Sequence, residues 1–457
     1  MKLYDSFSGK KREFTPYKDE VSMYVCGPNL YGPCHVGHAL SFIVFDVLRR
    51  YLEYQGYKVK HVQNFTDIED RIIEVAIQEG RTIGDLSEQY IERFLNEMDQ
   101  LGVQRAHDYP RATEYIPKMV DIIQGLIKKS YAYVAGGDVY YRVRNFENYG
   151  NLSRRSLDEM QAGVRIEVNP NKEDPMDFIL WKTAKENEPA WESPWGQGRP
   201  GWHIECSAMS LNLLGDQVDI HGGGQDVVFP HHENEIAQSE SFTGMVPFVQ
   251  YWVHNGLLRL TESDDEKMTR HSGNFVSCRD ALAQYHTDAI RLFLLSSHYR
   301  GPRTYSESEL EGQERAAGRM RTALNSGFAS GIEHIDIKGF RERFEATMDD
   351  DLNTPQALAT LFDLTREVNR RKELGESVVQ AQALLRELGG VLGLSFERPQ
   401  SEDNVIASPY IDLLVQVRAE LREAKQYALA DSLRERLGHL RVTLEDSQEG
   451  TAWRFSE

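Results

Sequence analysis

Cysteine is scarce in this chain, and long apolar runs are missing. Its 457 residues include only four cysteines, at Cys26, Cys34, Cys206 and Cys278. That number argues against a disulfide scaffold and leaves metal binding or catalysis as their interesting roles. The sequence contains no run of about 18 apolar residues, the length that would predict a membrane-spanning helix. Residues 1–15 contain no apolar signal core. We therefore expect a protein of the reducing cytoplasm that does not engage a membrane.

Positive charge is also in deficit. The chain carries 52 Lys and Arg against 71 Asp and Glu, a net charge of −19, which argues against indiscriminate nucleic-acid binding. A local basic track stays open, since arginines cluster at 315–321 and 434–441, although a solvated helix face is the favoured explanation of each cluster. With 40% hydrophobic and 27% charged residues, the composition is that of a globular protein, and the length suits roughly three domains of about 150 residues.

Apolar periodicity and turn residues divide the chain into segments. Two β/α-like halves predict an α/β fold with a parallel sheet. A turn-rich stretch between them has the look of an insertion, and helical periodicity dominates the rest of the chain. The predicted segments are 1–105 (first half), 106–200 (insertion), 201–300 (second half), 301–396 (helical bundle), 397–409 (flexible, proline-bearing linker) and 410–457 (a small C-terminal unit).

The first chemical motif is His35-Val36-Gly37-His38. It follows the alternating run Val21-Met23-Val25 and precedes the apolar stretch 39–52, which is the context of a strand, a turn and a helix start. A helix N-terminus offers free amides and a positive dipole end to phosphates. Imidazoles there could stabilise charge developing during phosphoryl chemistry, although two ordinary capping histidines remain the alternative.

The second motif is His221-Gly222-Gly223-Gly224-Gln225-Asp226, followed by Phe229 to Glu235. Three glycines predict a loop passing close to a ligand, with an ordinary flexible loop as the alternative. A helix beginning near Pro230 would place His231 and Glu235 on one face. Zinc accepts Cys, His and Glu together, but no short zinc-finger spacing links these residues to Cys26 or Cys206, so the residues alone leave a metal site open.

Further segments extend the pattern along nearly the whole chain. They are Tyr24–Pro28, Asn64–Asp70, Pro110–Ile116, Gln161–Gly163, Asp177–Lys182, Gly201–Met209, Gly222–Glu235, Lys267–His271, His298–Arg300, Met348–Pro355 and Gly450–Trp453. In this order, together with the His35 motif, they resemble the signatures of the cysteinyl-tRNA synthetase family. Chance does not explain an ordered set of this length.

The resemblance implies a class I aminoacyl-tRNA synthetase. Its expected architecture is a Rossmann-like parallel-sheet catalytic domain split by a connective insertion, then an all-α bundle contacting tRNA and a small anticodon-binding unit. The expected substrates are L-cysteine, ATP with Mg²⁺ and cysteine tRNA, and the expected state is a monomer. The reaction would form cysteinyl adenylate and pyrophosphate and then charge the 3′ end of the tRNA.

The resemblance also implies roles for individual residues. One zinc ion per chain would be held by Cys26, Cys206, His231 and Glu235. His35, Gly37, His38, Gly224, Asp226, Lys267 and Arg270 would bind ATP, and of these His35, His38, Lys267 and Arg270 would be catalytic. Thr66 and Trp202 would shape the cysteine site, while His232 and Glu233 would serve packing or substrate contacts.

The sequence departs from the family at a few places. The usual K-M-S-K-S loop reads Lys267-Met268-Thr269-Arg270-His271 after the acidic run 262–266. Arg270 keeps the charge but is bulkier and less freely placed than lysine, so we expect retained, slower activation. Asn29, Gly32 and Leu40 stand where the family commonly has threonine, aspartate and arginine.

Two other functions compete with tRNA charging. One is a cysteine-activating ligase of another pathway, of the mycothiol type, whose members resemble the catalytic half but lack a full C-terminal unit. The segment from Ala430 to Trp453 argues against it. The other is a catalytically impaired paralogue that binds RNA, which only the altered 267–271 loop supports.

Overall fold

The computed structural model describes residues 1–157, 159, 170–186, 188–259, 275–324, 333–397, 402–440, 442–447 and 450–455. Two compact units are present, Met1–Phe396 and Glu397–Glu457. Within the described ranges, no helix is long and apolar enough to cross a membrane.

The first unit contains both strands and helices. Its strands are β1 (Lys2–Asp5), β2 (Lys10–Glu13), β3 (Glu20–Val25), β4 (Lys58–Gln63), β5 (Ala132–Ala135), β6 (Asp138–Tyr141), β7 (Phe178–Thr183), β8 (Gly198–Pro200), β9 (Val218–Gly224), β10 (Val249–Asn255), β11 (Leu258–Arg259) and β12 (Arg303–Thr304). Its helices are α1 (Val36–Tyr54), α2 (Asp70–Glu79), α3 (Ile83–Gln100), α4 (Ile116–Lys128), α5 (Trp202–Leu214), α6 (Glu233–Thr243), α7 (Cys278–Gln284), α8 (Thr287–Leu295), α9 (Glu307–Leu324), α10 (Ile337–Asp349), α11 (Thr354–Glu373) and α12 (Val379–Val391).

A four-stranded parallel sheet in the order β10-β9-β3-β4 forms the centre of this unit. Helix α1 connects β3 to β4 on one side, whereas β9 pairs with the other side of β3. The chain segments that follow β3 and β9 therefore run in opposite directions across the sheet. Such a position is a topological switch point, where open α/β sheets form their ligand crevice. The predicted strand at 21–25 and the helix after His35 are both confirmed.

Between β4 and β9 the chain forms a second sheet, antiparallel, in the order β5-β6-β7-β8. Helices α9 to α12 follow the last strand. A parallel α/β half interrupted by an antiparallel sheet and followed by helices matches the predicted fold class. The motif Gln161–Gly163 lies outside the described residues.

The second unit consists of α13 (Glu402–Glu423), α14 (Tyr427–His439) and an antiparallel hairpin of β13 (Val442–Ser447) and β14 (Gly450–Phe455). Ile411, Leu437, Val442 and Leu444 form its core. The prediction of a flexible linker over 397–409 is wrong for 402–409, because α13 begins at Glu402 and contains Pro409. The segment Val405-Ile406-Ala407 is apolar and lacks the Gly and Ser typical of a flexible linker.

Candidate active site

A pocket of about 310 Å³ opens at the carboxyl ends of β3 and β9. Most of the sequence-predicted site residues line it: Cys26, His35, Gly37, His38, Thr66, Trp202, Cys206, Gly224, Asp226 and His231. Asn64 and Asn255 line it too. Residues from both β/α halves therefore meet in one crevice, as the switch point requires. Lys267 and Arg270 lie outside the described residues.

His35 and His38 cap the start of α1 reciprocally. The backbone N–H of His38 donates to Nδ1 of His35, and that of His35 donates to Nδ1 of His38, each over 3.3 Å. The two rings stack with their centroids 3.6 Å apart. Because each Nδ1 accepts a hydrogen bond, a neutral ring carries its proton on Nε2. The pair thus combines the capping role, which was the alternative to function, with donors suited to phosphate oxygens.

The glycine run is not a loop, and that prediction is wrong. Gly222, Gly223 and Gly224 are the last three residues of β9 and pair with β10 along their whole length. A Cβ on Gly222 would lie 2.2 Å from the ring of Phe45 on α1, so this glycine is required by helix-sheet packing. Only Gly223 and Gly224 reach the pocket, beside Asp226.

Four side chains that are distant in sequence converge into what we call the pocket cluster: Cys26, Cys206, His231 and Glu235. The two sulfur atoms are 4.0 Å apart. Nε2 of His231 lies 3.4 Å from the sulfur of Cys206 and 3.1 Å from a carboxylate oxygen of Glu235, and Cys26 Sγ lies 3.8 Å from the same carboxylate. A tetrahedral zinc site with bonds of about 2.0 to 2.3 Å has ligand-ligand distances of roughly 3.3 to 3.8 Å, so the donor set fits this metal.

The helix that carries Glu235 begins where the sequence predicts. Phe229 is extended (φ −136°, ψ 131°) and interrupts the helical segment 228–232, and from Pro230 the backbone is helical and runs directly into α6 at Glu233. Nε2 of His231 lies 3.1 Å from a carboxylate oxygen of Glu235, four residues further on. The predicted contact between these two side chains is confirmed.

Histidines behind the pocket cluster form a second possible donor set. His221 and His232 are fully buried, and their Nε2 atoms lie 3.7 and 3.1 Å from the sulfur of Cys26. His232 also contacts His254, with 2.7 Å between Nδ1 and Nε2. Neither His221 nor His232 lines the pocket, whereas Cys206 and His231 do. Of the pocket cluster, Cys26, Cys206 and His231 line the cavity, whereas Glu235 is fully buried behind them.

The thiols of the pocket cluster have opposite pKa shifts. Burial, followed by the hydrogen bond with Cys206, raises the pKa of Cys26 well above its ordinary value. The hydrogen bond from Cys26, helped by His231, lowers the pKa of Cys206 to about 7 despite its burial. Cys206 is therefore the thiol that ionises first, and a thiolate is the form that binds metal.

The predicted cysteine-site residues are held by different means. Thr66 is buried, and its hydroxyl accepts a hydrogen bond from the Asn64 amide over 3.3 Å, while Asn64 Oδ1 accepts from the backbone of Gly27. Trp202 is 36% exposed, and its ring centroid lies 4.3 Å from that of His231. A rigid polar wall and an accessible aromatic surface thus border the pocket cluster.

Of the supporting residues, His203 was not predicted, whereas Glu233 was expected to serve packing or substrate contacts. Nδ1 of His203 lies 3.0 Å from Nδ1 of His231 and so fixes the ring of a cluster member. Glu233 accepts hydrogen bonds from the backbone of Gly150 and Ser153 over 2.9 and 2.8 Å, so it anchors a loop of the insertion, a packing role. His203 lies within a motif already singled out, but no periodicity distinguishes it from its neighbours.

Known protein families match most of the chain. The family model for the class I (C) tRNA synthetase catalytic domain matches residues 13–315, and that for the DALR domain matches residues 343–397. A cysteine–tRNA ligase of Dehalococcoides mccartyi is 53% identical, covering 100% of this chain and 99% of the relative. One of Bacillus licheniformis is 44% identical, with coverage of 100% and 99%.

Solved structures resemble the fold at low sequence identity. The methionyl-tRNA synthetase of Mycobacterium tuberculosis in complex with methionyl-adenylate has a TM-score of 0.59 and 15% identity, covering 87% of this chain and 94% of that one. The LeuRS of Agrobacterium radiobacter in a ternary complex with tRNA and LeuAMS has a TM-score of 0.58 and 11% identity, covering 83% and 84%. These likenesses support the fold alone.

Proposed function

The chain belongs to the cysteine–tRNA ligase family, and we propose that it activates L-cysteine with ATP and esterifies cysteine tRNA, a reaction of protein biosynthesis. In the first step a carboxylate oxygen of cysteine attacks the α-phosphorus of ATP. The bond from that phosphorus to the bridging oxygen breaks, giving cysteinyl adenylate and pyrophosphate. In the second step a hydroxyl of the terminal ribose of the tRNA attacks the acyl carbon, and AMP leaves.

One observation carries the proposal: the capping histidines and three members of the pocket cluster, Cys26, Cys206 and His231, line a single cavity at the switch point of the sheet. Phosphate-directed donors and soft sulfur chemistry are thus within reach of one bound substrate. Such a site works chiefly by positioning the reactants and stabilising charge.

We assign ATP binding to His35, Gly37, His38, Gly224 and Asp226. The Nε2–H groups of the two histidines and the N-terminal end of α1 would neutralise phosphate oxygens. Mg²⁺ accompanies ATP. For Lys267 and Arg270, a triphosphate contact is proposed from the sequence resemblance.

We propose that Cys26, Cys206, His231 and Glu235 together hold one Zn²⁺. When bound, zinc supplies a soft Lewis acid that favours the thiolate of cysteine over the harder hydroxyl of serine. Thr66 and Trp202 would orient the substrate beside it. A site that recognises one polar atom in this way can discriminate by several orders of magnitude without editing.

We further propose that the bundle over 301–396 contacts the tRNA body and that 410–457 reads the anticodon. The first unit would hold the catalytic domain over 1–105 and 201–300, with the connective insertion at 106–200. We also propose that the chain acts as a monomer in the cytoplasm.

The deciding experiment has two parts, both with the purified full chain. Cysteine-dependent exchange of labelled pyrophosphate into ATP detects adenylate formation, and charging of cysteine tRNA detects transfer. We expect both activities. Exchange without charging would identify a cysteine ligase of another pathway, of the mycothiol type, and loss of both would identify an impaired RNA-binding paralogue.

A further inference from the structure

A second pair of cysteines meets behind the start of α1. His35 and Ser277 form an antiparallel bridge, with the backbone N–H of Val36 donating to Val276 and that of Cys278 donating to Cys34, each over 3.0 Å. Cys34 and Cys278 are therefore opposite each other across the bridge. Antiparallel partners at such positions carry their side chains on the same face.

Glu97 of α3 completes this group, which we call the bridge cluster. The two sulfur atoms and a carboxylate oxygen of Glu97 all lie within 4.8 Å of one another. All three side chains are buried, with exposures of 5% for Cys34, 1% for Cys278 and 4% for Glu97. The bridge cluster shares no residue with the pocket cluster.

The carboxylate of Glu97 is only half satisfied. Its Oε1 accepts from Nε of Arg93 over 2.7 Å, whereas its Oε2 has no hydrogen-bond partner among the described residues. A buried acceptor without a partner destabilises the folded state, and more so when it is charged. An unsatisfied carboxylate oxygen beside two sulfur atoms needs an explanation, and a cation supplies one.

We propose that the bridge cluster binds a soft divalent cation of the zinc type through Cys34, Cys278 and Glu97. Two thiolates, a carboxylate and the guanidinium of Arg93 balance the charge of a divalent ion, so the assembly is neutral although buried. Mixed thiolate and carboxylate ligation is within the range of zinc. A small pocket lined by Cys34, Arg93 and His38 adjoins the group and gives an ion or a water molecule a way in.

The consequence is structural. A cation there clamps the segment 276–278 to the residue that precedes His35, and so fixes the backbone that positions the capping histidines. A disulfide is the rival reading of two adjacent cysteines. It would need an oxidant, and it would leave Glu97 unsatisfied.

The test measures zinc per chain by mass spectrometry of the metal, after purified protein is loaded with Zn²⁺ and dialysed. Four proteins are compared: wild type, Cys206→Ser, Cys278→Ser and the double variant. We expect about two, one, one and zero ions respectively. Because Cys206→Ser leaves Cys26, His221, His232 and Glu235 in place, the ion remaining in that variant is assigned to the bridge cluster only if the added Cys278→Ser removes it, whatever the outcome for cysteine activation.

A second variant guards against misfolding. Glu97→Gln keeps the shape and an acceptor for Arg93 but removes the charge, so zinc affinity measured in the Cys206→Ser background should fall about 10- to 100-fold with an unchanged circular dichroism spectrum. Cobalt substitution of Cys206→Ser should give thiolate charge-transfer absorption that Cys278→Ser abolishes. Equal zinc content with and without Cys278→Ser, unchanged affinity in Glu97→Gln, or a Cys34–Cys278 disulfide in the wild type would overturn the proposal.

Discussion

The pocket cluster and the bridge cluster each combine two cysteines with one buried glutamate, yet their surroundings differ. The pocket cluster opens on the cavity and is backed by His203, His221 and His232. The bridge cluster is backed by the guanidinium of Arg93. The neutral imidazoles around the pocket cluster offer further nitrogen lone pairs and leave room for an additional metal ligand. The guanidinium of Arg93 beside the bridge cluster can only balance the negative charge of its ligands. The same donor types therefore suit substrate selection in one place and mechanical support in the other.

Replacement of one sulfur in the pocket cluster tests this contrast most strongly. Cys206→Ser substitutes a hard oxygen for the thiol that ionises first, so we expect cysteine-dependent pyrophosphate exchange to fall at least about 100-fold. Met209→Leu, a volume-conserving change in the buried face of the same helix, is the matched control. Near-normal exchange in Cys206→Ser would show that the cluster does not select the substrate.

Replacement of a histidine of the pair His35 and His38 should have the next largest effect on exchange. His38→Ala removes an acceptor for the His35 amide and a donor for phosphate, so the rate constant kcat of exchange should fall about 100-fold with little change in the KM for cysteine. His38→Asn retains a capping acceptor but not the Nε2–H donor, and it should restore thermal stability without restoring kcat. Recovery of kcat in His38→Asn would reduce the pair to a helix cap.

Trp202 should have a smaller effect, confined to substrate binding. Loss of its ring beside His231 in Trp202→Ala should raise the KM for cysteine about tenfold, corresponding to roughly 1.4 kcal/mol, and leave the KM for ATP nearly unchanged. Trp202→Phe, which keeps an aromatic face, should lie between the two. An equal rise in both KM values would indicate a general disturbance of the pocket.

The smallest effect is expected at His61, a buried histidine that belongs to neither cluster. Burial, followed by the charge of Arg49, lowers the pKa of His61 from 6.5 to about 3. The unfolded chain binds this proton below about pH 6.5 and the folded chain only near pH 3. Stability is therefore full above that window and declines as the pH falls through it.

His61→Leu should remove this part of the acid destabilisation without altering exchange activity. Urea unfolding at pH 7 and pH 4 measures the difference for both proteins. The free energy of unfolding should fall less steeply in His61→Leu, and parallel losses in the two proteins would show that His61 does not titrate as its burial implies.

Particular residues show which structural features could be predicted from the sequence. His35 at a helix start, the 21–25 strand and the parallel sheet were all predictable, because hydrophobic period and capping chemistry are local. The glycine run was misassigned, since glycine serves equally in a loop and under Phe45, and only tertiary packing distinguishes the two. The helical start at Pro230 was predictable, because proline is favoured at the first position of a helix.

The bridge cluster shows what sequence could not supply. Cys34, Glu97 and Cys278 are far apart in the chain and have no metal-binding spacing. Only the His35–Ser277 bridge and the packing of α3 bring them together. In the pocket cluster, helical spacing predicted that His231 and Glu235 share a face, whereas the addition of Cys26 and Cys206 came only from the family resemblance.

The most direct measurement of the central claim is pyrophosphate exchange with cysteine or serine, before and after metal is removed by a chelator and Zn²⁺ is returned. We predict strong preference for cysteine in the zinc-loaded protein, loss of cysteine-dependent exchange on metal removal, and recovery with Zn²⁺. Undiminished, cysteine-selective exchange in the metal-free protein would contradict the account.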